Sequence, residues 1–166
     1  MAFDKTGTLT VGQPRVVGQA AAPGVSAETA LALAAALQSG SEHPLARAVL
    51  AAAQGLPLPL AQALQAVPGR GVQAQVDGRT LLLGSLRWLQ AEGLHADAWA
   101  AELATFQAQG ASVSALAERV PGGLRPLLLL AFGDEPKAGA REALAALRAR
   151  GLHLVMISGD NRAAAE

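Results

Sequence analysis

A carboxylate followed by small hydroxyl residues and a glycine is the stretch most able to do chemistry: Asp4-Lys5-Thr6-Gly7-Thr8-Leu9-Thr10. Ala2 and Phe3 are apolar, so the chain reads as a short strand ending at Asp4. A carboxylate at a strand's carboxyl end, with free backbone N–H groups just beyond it, is placed to attack a phosphoryl group. Thr6 and Thr8 offer hydroxyl and backbone donors to phosphate oxygens, Gly7 lets the backbone approach closely, and Lys5 adds positive charge. Lys5 and Lys137 are the only lysines among thirteen basic residues, and a lysine supplies a compact point charge that arginine does not. A second loop of the same kind, Ser158-Gly159-Asp160, follows the apolar run Leu152–Ile157. Strand-tip loops at the carboxyl edge of a parallel sheet build one shared site. Asp4 and Asp160 are therefore expected to meet, although 156 positions separate them.

Three further groupings stand between those loops. Ser41-Glu42-His43-Pro44-Leu45-Ala46 opens a helix, where a lone histidine is more often a cap or a core residue than a ligand contact. Gly69-Arg70-Gly71-Val72 brings two glycines together, which a hairpin turn also explains. Asp134-Glu135-Pro136-Lys137 puts acids ahead of a helix, as ordinary helix starts do.

The elements that must position these residues fall into two patterns. Arg15–Gln19 reads as a strand. Ser26 is placed to cap a helix ending at Gly40, and Pro44 begins another running to about Gln54. From Ala63 the period shortens: strands are expected over 64–67, 71–76 and 79–83, the last two joined by the hairpin signal Asp77-Gly78. A short helix over 85–91 and a longer one over 97–109, capped by Asp97, precede strands over 112–118 and 124–132. After Asp134 the pattern turns α/β: a helix over 137–150 with Ala140, Leu144 and Leu147 inward, then the apolar strand 152–157. Residues 14–130 thus read as a self-contained α+β block set into an α/β unit made of 1–13 and 131–166.

Composition narrows the function classes. Half of the 166 residues are hydrophobic, enough for a sizeable core. A formal net charge of zero argues against nucleic acid as a main partner. The absence of cysteine excludes disulfides and thiolate metal sites. No apolar run, Leu127–Phe132 included, is long enough to span a bilayer, and the sequence enters the first motif with no visible signal peptide.

Taken in order, these motifs resemble those of the heavy-metal (class IB) P-type ATPases. The resemblance extends over essentially the whole chain. It implies a haloacid-dehalogenase-like, Rossmann-like phosphorylation domain carrying an inserted nucleotide-binding domain, an antiparallel sheet flanked by helices. It implies that Asp4 becomes an aspartyl phosphate, with Lys5, Thr6 and Asp160 as its catalytic companions. Thr6, Gly7, Thr8, Ser158 and Gly159 would hold phosphate, and Asp4 and Thr6 would hold Mg²⁺. Ser158 stands where the family has threonine and keeps the hydroxyl. Glu42, His43, Gly69 and Gly71 would meet the adenine and ribose, with Asp134 and Lys137 close by at the domain junction. No aromatic residue is expected near the adenine motifs, since Trp88, Trp99 and Phe106 lie away from them in sequence. The partners implied are ATP and the rest of a pump, its transmembrane and actuator parts, with no membrane contact by these residues themselves. The implied place is the cytoplasmic face of the cell membrane. The family's further lysine and Gly-Asp-Gly-x-Asn-Asp are expected beyond Glu166. Leu83–Leu89 looks more like the copper exporters than the zinc/cadmium ones, so Cu⁺ export is the expected function. A soluble phosphatase of the same fold is the rival, although such enzymes usually carry Asp where Thr6 stands. A catalytically inactive nucleotide-binding module is another.

Overall fold

The computed structural model describes residues 2–4, 10–134, 137–151 and 155–157. Strands β1 (Ala2–Asp4) and β8 (Val155–Ile157) pair in parallel as a small sheet. The intervening elements are β2 (Arg15–Ala21), α1 (Ala27–Gln38), α2 (Pro44–Ala52), β3 (Gln62–Val67), β4 (Gly71–Val76), β5 (Arg79–Ser85), α3 (Leu86–Ala91), α4 (Ala100–Ala108), β6 (Ser112–Val120), β7 (Gly123–Gly133) and α5 (Ala140–Ala149). Strands β2 to β7 form one antiparallel sheet in the order β2-β7-β6-β5-β4-β3.

Local chemistry accounts for most boundaries. Ser26 caps α1, its Oγ accepting from the Thr29 N–H at 3.3 Å, with Glu28 in the first turn where the helix dipole favours an anion. His43 caps α2, its Nδ1 accepting from the Leu45 N–H at 3.2 Å, and Pro44 takes the first helical position. The Asp77-Gly78 turn has positive φ at both residues (50° and 74°), the conformation whose twist suits a two-residue hairpin. Two expected starts differ. Asp97 does not cap a helix: it opens a single 3₁₀ turn, Asp97–Trp99, which carries Trp99 into the core before α4 begins at Ala100. The helix expected from Lys137 begins at Ala140, because Gly139 turns the chain in the left-handed region. The Leu152–Leu154 part of the last expected strand lies outside the described residues.

The large sheet is covered on both faces, as its antiparallel alternation allows. Leu81, Leu83, Leu116, Leu128 and Leu130 face α1 and α2, joining Leu33, Leu37 and Val49 in one core. Leu82, Ala115, Ala117 and Leu129 face the other way, against Trp88, Leu89 and Trp99. Eight successive residues of α1, Ala30 to Leu37, are buried. Five of the eight are alanines, and so many small side chains let the helix approach the sheet closely.

Candidate functional site

The small sheet pairs the two strands that precede the motif loops in the sequence. Its register sets Asp4 opposite Ile157, the residue immediately before Ser158. Asp4 and Ile157 therefore stand at the same, carboxyl edge of two parallel neighbours. Lys5, Thr6, Gly7, Thr8, Ser158, Gly159 and Asp160 lie outside the described residues. Among the described residues, no group of three or more histidine, aspartate or glutamate side chains is placed to hold a metal ion.

The large sheet contributes a cavity of about 470 Å³ at one end of its α1/α2 face. Its floor and walls are largely apolar, from Leu45, Val49, Val72, Leu83 and Phe132. Polar groups converge from Gln38, Ser41, His43, Ser85 and Ser114, and the Gly69-Arg70-Gly71 turn forms one rim. An apolar slot with a few polar groups and exposed backbone edges suits a flat heteroaromatic ring. The capping bond at His43 also sets its chemistry. With Nδ1 accepting from Leu45, the proton of the neutral ring sits on Nε2, which is left as a donor.

His43, Gly69 and Gly71 thus come together on one cavity, whereas Glu42 is exposed and does not line it. The two glycines differ. Gly69 has φ +68° and open space where a side chain would start, so its role is the left-handed turn itself. Gly71 is needed for space on the opposite face of the strand. A methyl there would lie 2.2 Å from the Leu83 carbonyl O and 2.8 Å from Cζ3 of Trp88. The expectation that no aromatic stands near these motifs is therefore corrected: α3 folds back over β5 and β6 and its Trp88 reaches behind Gly84 and Gly71, and Phe132 lines the cavity itself. Sequence reasoning missed Gln38, Ser114, Phe132 and the Gly84-Ser85 pair as cavity residues. A glycine inside an otherwise apolar strand was the available signal for Gly84.

An ion pair ties the residue after α3 to β6. Arg119 donates to the Glu92 carboxylate at 3.0 Å. That bond, opposed by desolvation and helped by the Arg119 charge, the Trp88 indole N–H and the Arg70 charge, holds the Glu92 carboxyl below the usual range.

Asp134 occupies the crossing between the sheets. Its carboxylate accepts from the Thr10 hydroxyl at 2.5 Å and from the backbone N–H groups of Gly12 and Gln13 at 3.1 and 3.2 Å. The outgoing chain is thereby tied to the incoming one, where Arg15 pairs with Gly133. Phe132 on the cavity wall is two residues before Asp134, so the tie and the cavity share one strand end. Lys137 is exposed just beyond the crossing.

Comparison with known proteins agrees with this layout. A family model described as haloacid dehalogenase-like hydrolase matches residues 1–166. Copper-transporting ATPase 2 of Rhizobium meliloti is 37% identical over 168 residues, covering 100% of this chain and 20% of the relative. A zinc/cadmium/lead-transporting P-type ATPase of Shigella sonnei is 39% identical over 168 residues, covering 99% of this chain and 22% of the relative. The crystal structure of a zinc-transporting PIB-type ATPase in its E2.Pi state superimposes with a TM-score of 0.74 at 37% identity, covering 99% of this chain and 26% of that one. The chain spans about a fifth of the length of the curated relatives it matches.

Proposed function

Because the chain belongs to the haloacid dehalogenase-like hydrolase family, we propose that it is the ATP-binding and phosphorylation part of a heavy-metal-transporting P-type ATPase. Residues 14–130 take the nucleotide, and residues 1–13 with 131–166 take the phosphoryl group. The observation that carries this reading is the pairing of two features on one chain. One is the β1–β8 register that sets Asp4 opposite Ile157, the residue before Ser158 in the sequence. The other is the cavity edged by His43 and the Gly69–Gly71 turn.

In this mechanism the adenine lies in the cavity, with the His43 Nε2–H as donor and the Gly69–Gly71 backbone along its edge. Glu42, outside the cavity lining, reaches the base from the solvent side. An Asp4 carboxylate oxygen attacks the γ-phosphorus, and the bond to the β–γ bridging oxygen breaks. ADP leaves, and Asp4 carries an acyl phosphate. Water then attacks the phosphorus, phosphate departs, and the carboxylate is restored. Lys5, Thr6, Gly7, Thr8, Ser158 and Gly159 are the groups assigned to the phosphate oxygens, since positioning and charge neutralisation matter more in this step than covalent help. Mg²⁺ would be held by Asp4 and Thr6, with Asp160 close by, and would supply part of that neutralisation through the hard oxygen donors such an ion takes. Asp134 and Lys137, at the crossing, govern how the two parts meet over the nucleotide.

The parent pump would work at the cytoplasmic face of the cell membrane. Among the described residues, no helix is long and apolar enough to cross a membrane. The transported ion is proposed to be Cu⁺, on the likeness of Leu83–Leu89 to copper exporters; the 37% and 39% identities to copper and zinc/cadmium/lead pumps do not separate the two. Acid-quenched labelling with γ-labelled ATP tests the nucleophile in the full-length protein. Hydroxylamine-sensitive label should appear on the wild type and vanish in Asp4→Asn. Label that survives in Asp4→Asn would falsify the assignment. In parallel, His43→Ala should weaken ATP binding by about tenfold, in keeping with the loss of one hydrogen bond.

A further inference from the structure

The cavity has a rear wall that none of the nucleotide motifs supplies. Gly71 and Gly84 pair across β4 and β5, and both line the cavity. Behind them, on the opposite face of the sheet, lies the Trp88 ring, 7% exposed. A methyl on Gly84 would stand 2.7 Å from Cε3 and 2.8 Å from Cζ3 of that ring, and a methyl on Gly71 would stand 2.8 Å from Cζ3. The ring occupies the space that two missing side chains leave. It is itself held from its own helix: the Ser85 hydroxyl caps α3 by accepting from the Trp88 N–H at 3.3 Å.

In the turn in front of the ring the Arg70 N–H donates to the Val67 carbonyl at 3.0 Å and the Ser85 N–H donates to the Arg70 carbonyl at 2.9 Å. Two glycines flank Arg70, and glycine has the most conformational freedom to lose. A void behind such a turn would let it relax away from the ligand, since close-packed interiors hold their backbone by contact.

We propose that Trp88 is a positioning residue for the nucleotide, its ring holding Gly71 and Gly84 from behind and so fixing the backbone edge against which the adenine lies. This rests on the nucleotide reading of the cavity given above. Trp99 provides the comparison, since it is wholly buried in the same core but supplies none of the nearest atoms behind Gly71 and Gly84.

The test is an ATP titration of the 166-residue chain by calorimetry, with Trp88→Leu, Trp88→Phe and Trp99→Phe, each checked for a cooperative melt and titrated well below its Tm. Trp88→Leu should raise the Kd by about fivefold or more, with Trp88→Phe intermediate because it keeps a smaller ring. The backbone amide resonances of Gly69, Arg70 and Gly71 should shift in both Trp88 variants before any ATP is added. Trp99→Phe should lower Tm yet keep the Kd within about twofold. A merely structural Trp88 would lower Tm and leave the Kd of the folded protein and the turn resonances in place. Wild-type binding with unchanged Kd in both Trp88 variants overturns the positioning role alone. Absence of saturable ATP binding by the wild type overturns the nucleotide reading and this inference with it.

Discussion

The two faces of the large sheet solve the same burial problem with opposite materials. The α1/α2 face is packed by alanine-rich helices whose small side chains bring the backbone close. The α3/α4 face is packed by few but large groups, Trp88 and Trp99 above all, while α4 itself buries no residue fully. The cavity opens on the first face, where the helices stop short of the Gly69–Gly71 turn. Bulk accumulates on the second, directly behind that turn. The difference teaches that a ligand slot needs both: thin packing in front to leave room, and a filled, unyielding layer behind. Trp99 fills the same face away from the turn, and its indole Nε1 is buried without a hydrogen-bond partner among the described residues, so the ring serves by volume.

The largest test of this division removes that volume. Trp99→Ala should destabilise the fold by about 3–5 kcal/mol, the usual cost of deleting a buried aromatic ring. Urea unfolding measures it, and a loss below about 1 kcal/mol would mean the second face can collapse and is not the rigid layer described here. A smaller test overfills the same face. A methyl added at Gly18 on β2 would stand 2.5 Å from Cε1 of Phe106 on α4. Gly18→Ala should cost about 1–3 kcal/mol as overpacking. Gly18→Ala combined with Phe106→Leu should recover part of that loss. Strict additivity of the two substitutions would show that they do not meet.

How much of this was legible beforehand follows the range of the interactions. The Ser26 cap and the Asp77-Gly78 hairpin depend on neighbours within four residues, and sequence reading placed both. The strand-tip geometry of Asp4 was legible because apolar residues preceding a carboxylate already imply it. Trp88 was not, since its contact with Gly71 joins positions 17 apart through the folding of α3 onto the sheet. The distinction between Glu42 and His43 was also hidden, because adjacent residues at a helix entrance send their side chains in different directions. The start of α4 was misplaced for a tertiary reason: Trp99 is drawn fully into the core, and the preceding turn tightens to deliver it.

Asp134 sharpens the comparison from the sheet's end, where both faces give way to the crossing. Asp134→Ala removes the carboxylate that accepts from the Thr10 hydroxyl and from the Gly12 and Gln13 N–H groups. The tie is partly exposed, and water replaces much of it, so the local cost should be about 1–2 kcal/mol. Amide exchange should report it, with Gly12 and Gln13 accelerating by roughly tenfold and the buried strand amides of β6 and β7 unchanged. In the full-length protein, labelling at Asp4 should fall while ATP affinity is kept. Equal acceleration across β6 and β7 would reassign Asp134 to the stability of the whole sheet.

The smallest effect lies at the other end of the α1/α2 face. On β5 the row Arg79, Leu81, Leu83, Ser85 shares one side of the strand and runs from an ion cluster, through the core, to the cavity. Glu118 closes the cluster, accepting from Arg79 Nε and Nη2 at 3.0 and 2.9 Å and from Arg125 Nη2. The hydrogen bond from Arg79, opposed by burial and joined by the bond from Arg125 and by both charges, holds the Glu118 carboxyl below its ordinary value of 4.5. A carboxyl depressed in the folded state stabilises above its unfolded value and loses that contribution as pH falls through its lower, folded value. Arg79 is 36% and Arg125 56% exposed, so solvent screens the pairs and Glu118→Gln should cost only about 1 kcal/mol at neutral pH. Urea midpoints of wild type and variant should converge once the pH is well under 4.5, where the wild-type carboxyl is protonated too. A gap that stays constant from neutral to acid pH would show that Glu118 contributes by packing, and that this end of the face is closed by shape as the middle is.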